Sequence, residues 1–219
     1  MAGPKAEDGI EQVMMQLRPY LSSHRSASER FDPSHSALLV IDMQRYFLDK
    51  SSHAYLPDSA EIVDNVADLI ETYKKRSLPL FFTKHSHPRN EKPGAMARWW
   101  KDLIREGDEM AELADGFLPT EDAPVLAKSR YSAFVGTDLE KRLRALDVTG
   151  IVITGVMTHL CCETTARDAF MRDFDVFVVV DGTASESKDL HISSLKTLSD
   201  GFAIPVSTKE VIGWCNRRM

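Results

Sequence analysis

Three residue types that cooperate in nucleophilic catalysis, a carboxylate, an ammonium and a thiol, occur as Asp42, Lys128 and Cys161. Cys161 lies in IVITGVMTHLCCETTARDA, where an apolar strand runs through Gly155 into a sharp turn and a predicted helix begins near the cysteine. Unpaired N–H groups at a helix N-terminus carry partial positive charge, so a thiol there is expected to ionise readily, and the thiolate is the nucleophile. Asp42 directly follows the apolar run ALLVI, and Lys128 lies in VLAKSRYSAF, shortly before a helix. A carboxylate near a thiol takes its proton as a general base and returns it to a leaving amine. A lysine beside both stabilises the thiolate and orients the carboxylate. Backbone N–H groups in the turn before Cys161 bind the developing oxyanion, each such donor contributing roughly 3 kcal/mol. Taken singly, each residue has a plainer reading: an inert buried cysteine, a turn aspartate, a solvated lysine. Their joint placement favours the chemistry.

The elements needed to bring them together are legible. Ala37–Ile41 is a strand buried on both faces. Asp58–Ser77 is an amphipathic helix with Ile62, Val63, Val66, Leu69 and Ile70 on one stripe. Leu78–Thr83, Gly150–Thr154, Asp175–Val180 and Ala203–Val206 are further strands. Thr137–Leu146 is a helix with capping-box spacing of Thr137 and Glu140, and later helices begin near Cys161, Ser187 and Ser207, the last with Glu210 in capping-box position. Residues 85–123 form a less regular insert with helical pattern over Ala95–Arg105. Residues 1–34 read as an N-terminal arm, with a short helix over Ile10–Leu17, and 35–219 as one domain. Alternating strands and helices imply an α/β fold with a parallel sheet covered on both faces. Ligands in such sheets bind at the carboxyl ends of the strands.

Composition narrows the partners. The net charge of −6 and the sequence pI near 5.7 argue against a nucleic-acid-binding face. No apolar run approaches the roughly 18 residues of a membrane span. The N-terminal MAGPKAEDGIEQVMMQL lacks a secretory core, and three cysteines make no disulfide framework, so a cytoplasmic location is expected. There is no G-x-G-x-x-G and no P-loop, and no cofactor is expected.

LLVIDMQRYF with Asp42, AKSRYSAFVGTDLE with Lys128 and VITGVMTHLCCETTARDAF with Cys161 occur in order, and from about Ser36 to Val211 the chain resembles the isochorismatase-like hydrolases, the cysteine hydrolase superfamily. The resemblance implies a three-layer, Rossmann-like α/β/α fold with a six-stranded parallel sheet. It implies an Asp42–Lys128–Cys161 catalytic triad and a cis peptide at Val156–Met157. The N–H groups of Met157 and Cys161 would form the oxyanion hole, and the protein would be a homo-oligomer, a dimer or tetramer. The amidase branch has cysteine at the position of Cys161 and cleaves C–N bonds of small molecules through a thioester. Isochorismatases have a non-nucleophilic residue there and hydrolyse a vinyl ether, the aspartate serving as acid. Cysteine at 161 favours an amide, carbamoyl or ureido substrate, although DMQRYFL and RYSAF are worded like the isochorismatase branch. A non-catalytic binding protein that keeps the fold is the third reading.

The nicotinamidases of this family hold a metal through an Asp-x-His pair, and this chain has His85-Ser86-His87 at that place. Two imidazoles on one side of an extended segment make a thin metal site, so no metal is expected, nor nicotinamidase activity, and His85 is read as lining the pocket. Trp99, Trp100 and Tyr131 are candidate pocket walls, Phe134 reads as packing, and Arg130 is a candidate partner for a substrate carboxylate. His159 reads as a helix-start or interface residue, Cys162 as packing, and Cys215 as a core or surface thiol.

Overall fold

Six strands form one sheet in the order β3-β2-β1-β4-β5-β6, every neighbouring pair parallel. They are β1 (Ser36–Ile41), β2 (Leu80–His85), β3 (Val125–Lys128), β4 (Gly150–Val156), β5 (Asp175–Ala184) and β6 (Ile204–Val206). The computed structural model describes residues 6–21, 27–92, 94–100, 102–119 and 123–217. The longer helices are α1 (Ala6–Leu17), α2 (Val63–Lys75), α3 (Ala95–Trp100), α4 (Leu139–Ala145), α5 (Glu163–Phe170), α6 (Lys188–Gly201) and α7 (Thr208–Asn216).

Side chains alternate across the buried strands and build a core on each face. Leu38, Val40, Val152 and Phe177 pack with Val66, Leu69 and Tyr73 of α2 and with Val211 and Trp214 of α7. Leu39, Ile41, Ile151 and Ile153 pack with Leu139 and Leu143 of α4, Ala166 and Ala169 of α5, and Leu195 and Leu198 of α6. Two apolar faces oblige the sheet to be covered twice, which yields the three-layer arrangement. Leu17 of α1 and Phe31 also enter these cores, so parts of the N-terminal 34 residues pack on the body of the protein.

Several boundaries differ from the sequence expectation. β2 begins and ends two residues later than Leu78–Thr83, so His85 is a strand residue. β3 was not read as a strand: exposed and buried residues alternate over only four positions, too short a run to stand out. The helix expected over Asp58–Ser77 divides into a 3-10 turn at Pro57–Glu61 and α2. The helical pattern over Ala95–Arg105 stops at Trp100. The capping box at Thr137 and Glu140 does not form. The Thr137 hydroxyl bonds the Ala133 carbonyl four residues back and Glu140 pairs with the distant Arg172, so a local turn and a tertiary partner displace the cap. At α7 the capping box of Ser207 and Glu210 is present.

The strand order reverses between β1 and β4, the position at which open α/β sheets leave a crevice at their carboxyl ends. Ile41 of β1 pairs with Gly155 of β4, and His85 of β2 pairs with Lys128 of β3. The register therefore brings Asp42, His85, Lys128 and the turn after β4 to one edge.

Candidate active site

Each side chain at this edge is aimed by the end of its strand. Asp42 follows β1 with φ 48°, a left-handed conformation that aspartate tolerates better than most residues. Gly155 has φ +109° beside it, and a Cβ there would sit 2.1 Å from the Ile41 carbonyl oxygen. The Val156–Met157 peptide bond is cis. The chain then makes a π-helical turn over Thr158–Cys162 before α5.

Lys128 joins the cluster together. Its Nζ donates to Asp42 Oδ2 at 2.7 Å, to Cys161 Sγ at 3.2 Å and to the Arg130 carbonyl at 3.2 Å. These three bonds account for all three ammonium protons. The Asp42 and Lys128 side chains have no exposed surface, and Cys161 is 6 % exposed. Thr83 donates its hydroxyl to Asp42 Oδ1 at 2.6 Å and accepts the Asp42 N–H at 3.1 Å.

Burial and pairing together set the protonation states. Burial pushes the Asp42 carboxyl up, but Lys128, His85 and the bond from Thr83 outweigh it and leave the group below the usual carboxylate range. Burial pulls Lys128 down, while Asp42 and Cys161 raise it above the ordinary lysine value. Burial raises Cys161 far above an ordinary thiol, with Lys128 opposing and Asp42 adding to the rise. At neutral pH the cluster is carboxylate, ammonium and neutral thiol. The sequence expectation of a readily ionised thiol at a helix N-terminus is corrected. Cys161 lies inside the π-turn, before α5 begins at Glu163, and burial dominates its ionisation.

His85 is buried against the same cluster. Its backbone is clamped by Gln44, which accepts the His85 N–H at 2.7 Å and donates to the His85 carbonyl at 2.9 Å. Its Nδ1 is buried with no hydrogen-bond partner among the described residues. Burial, then Lys128, lower its pKa to about 4, so the ring is neutral. Asp42, His85 and Cys161 offer ligand atoms within 4.8 Å of one another. That donor set suits zinc-like ions, but Lys128 already bonds both the carboxylate and the sulfur, and its charge opposes a cation. His87 stands apart from this group: its ring lies edge-on to His85 at 5.2 Å and its Nδ1 pairs with Glu91 at 2.8 Å.

The remaining sequence candidates divide. Trp100 donates its ring N–H to the Tyr131 hydroxyl at 2.7 Å, and Tyr131 packs against the core cluster that contains Cys161. Trp99 is 79 % exposed. The Arg130 guanidinium bonds Glu91 at 3.0 Å and the Ser129 carbonyl through Nη1, and its backbone carbonyl accepts from Lys128. Phe134 is core, stacked near Phe174. His159 bonds Ser185, and Cys162 and Cys215 are buried.

Sequence reasoning missed the supports. Thr83 and Gln44 lie inside segments already singled out, LPLFFT and LLVIDMQRYF, yet nothing local shows that they bond across strands. The loop after β3 is fastened to α5 by the Ala133 N–H on Thr165 Oγ1 at 3.0 Å and by the Ser132 hydroxyl on Asp168 Oδ2 at 2.5 Å.

Fold and site together define a three-layer α/β/α protein with a thiol, a carboxylate and an ammonium buried at the switch between its two half-sheets. The family described as Isochorismatase domain matches residues 36–210, and the chain belongs to that family, whose members are hydrolases. The chain is 35% identical over 187 residues to Nicotinamidase 3 of Arabidopsis thaliana, covering 83% of this chain and 90% of that protein. It is 34% identical over 183 residues to enterobactin synthase component B of Escherichia coli K12, covering 83% of this chain and 64% of that longer protein. Among solved structures, a cysteine hydrolase from Pseudomonas syringae pv. phaseolicola 1448A superimposes with a TM-score of 0.81 at 27% identity, over 84% of this chain and 94% of that one.

Proposed function

We propose that this hydrolase cleaves a C–N bond of a small amide, carbamoyl or ureido compound through a thioester on Cys161. The observation that carries the reading is Lys128 bonded at once to the Asp42 carboxylate and to the Cys161 sulfur in a buried site. The Asp42 carboxylate takes the thiol proton as the sulfur attacks the substrate carbonyl carbon. Lys128 stabilises the thiolate, and the N–H groups of Met157 and Cys161 receive the oxyanion. Collapse expels the amine, which leaves with the proton held on Asp42, and the acyl group remains on sulfur. Asp42 then removes a proton from water, which attacks the thioester, and the sulfur departs as a thiolate that recovers the proton. In this reading His85, within 4.8 Å of the sulfur, and the hydrogen-bonded pair of Trp100 and Tyr131 would contact the substrate.

An ionised Asp42 suits the general base of this reaction rather than the acid of vinyl ether hydrolysis. The latter needs Asp42 as a protonated acid, and Lys128 with Thr83 holds it ionised. A non-catalytic role leaves unexplained why three costly buried groups are kept paired. The Arabidopsis relative's name makes nicotinamide the first compound to try, followed by other carboxamides, carbamoyl amino acids and ureido acids. Cys161→Ala is expected to lower turnover of the accepted substrate at least about a thousandfold while the variant stays folded. Intact mass of the quenched wild type should show the acyl adduct. Near-wild-type turnover by Cys161→Ala refutes the thioester. Hydrolysis of isochorismate, but of no C–N compound, by both proteins selects the ether reading.

A further inference from the structure

The turn that carries the sulfur is held from outside the cluster. Thr158, its first residue, is gripped at two atoms by one face of α6. The Thr158 hydroxyl lies 2.8 Å from His191 Nδ1, and the Thr158 carbonyl accepts the Ser194 hydroxyl at 3.2 Å. His191 and Ser194 are three residues apart on the helix, so they point the same way. The neighbouring His159 is held by Ser185, whose Oγ lies 3.0 Å from its Nδ1. Thr158, Ser185 and Ser194 are all buried. Among the described residues, the His191 and Ser194 side chains bond Thr158 rather than Asp42, Lys128 or Cys161, so neither takes part in the proton movements above.

A half-buried histidine bonded to a buried threonine hydroxyl exceeds what packing alone requires, because an apolar side chain would fill the space without desolvating an imidazole. Burial holds the His191 ring neutral, with a pKa of about 4, against Asp58 and the Val180 backbone, which favour the charged form, while Lys188 opposes it. The ring is therefore a constant hydrogen-bond partner across the neutral range and does not act as a switch.

We propose that His191, with Ser194, is a positioning residue that fixes Thr158 so that the Met157 and Cys161 N–H groups meet the substrate oxyanion. The inference rests on the thioester reading and names the side chains that set the geometry of its oxyanion site. It separates two reactions of one sulfur. Acylation by p-nitrophenyl acetate builds an oxyanion, whereas alkylation by iodoacetamide does not. His191→Leu and Thr158→Val are each expected to slow acetylation of Cys161 about tenfold while changing its carboxamidomethylation less than about twofold. His191→Asn, whose amide sits where Nδ1 stood, should acylate within about threefold of wild type. Both modifications are followed by p-nitrophenolate release and peptide mass, with melting curves recorded alongside. Wild-type acylation rates in folded His191→Leu overturn the inference, as does an equal fall in acylation and alkylation. If His191→Leu does not fold, the near-isosteric Thr158→Val decides alone. Absence of an acetyl adduct on wild-type Cys161, or undiminished p-nitrophenolate release by Cys161→Ala, overturns the thioester reading itself and is thereby told apart.

Discussion

Lys128→Met isolates the role of the buried ammonium. The substitution keeps most of the side-chain volume and removes the charge from a site where Asp42 and Lys128 both have fully buried side chains. Asp42 retains the bond from Thr83 but loses its counter-charge at 2.7 Å. Breaking a buried pair by deleting one partner costs roughly 3–5 kcal/mol, which lowers the melting temperature of a chain this long by roughly 6–20 °C. The pH dependence should also change sign. In the wild type the Asp42 pKa is depressed, so its contribution is present above the unfolded value and is lost only as pH falls through the lower folded value. In Lys128→Met, burial is the largest influence left, opposed only by Thr83 and His85, and raises the carboxyl, so the variant should gain stability as pH falls from about 8 to about 5. Adding Asp42→Asn removes the stranded charge, and the double variant should melt well above the single one and without that slope. Differential scanning calorimetry across this range reads all three proteins. A Lys128→Met protein that melts within about 2 °C of wild type at neutral pH, with no inverted slope, refutes the argument that the ion pair is buried and mutually dependent.

The raised Cys161 pKa makes its alkylation by iodoacetamide slower than that of a small free thiol at neutral pH and still climbing near about pH 9; a plateau below pH 8 contradicts the burial argument. Gly155→Ala would drive a Cβ to 2.1 Å from the Ile41 carbonyl oxygen at φ +109°, so a loss above about 3 kcal/mol is expected in denaturant unfolding, and a wild-type midpoint counts against the register. Ser132→Ala cuts the tie between the loop after β3 and Asp168, and about 1 kcal/mol of stability should go with it. Unchanged stability would mean that the Thr165 bond alone fastens the loop.

Much of this protein is determined by its sequence. ALLVI, GIVIT and DVFVVV are apolar throughout, and only strands covered on both faces use such runs, so the parallel three-layer sheet was readable from them. Asp42, Lys128 and Cys161 were identifiable because each sits at or just beyond a strand end inside a distinctive motif. The tertiary structure alone decided the rest. Ionisation of Cys161 depends on how completely the surroundings exclude water, which no local pattern records, and burial reversed the direction that a helix N-terminus suggested. Arg130 bonds Glu91, Thr137 bonds Ala133, and His191 bonds Thr158, each a partner distant in sequence or outside the pattern first assigned to it. Periodicity reports which face of an element meets the core; it carries no record of which polar atoms meet across the packed elements, and those meetings set charge and geometry at this site.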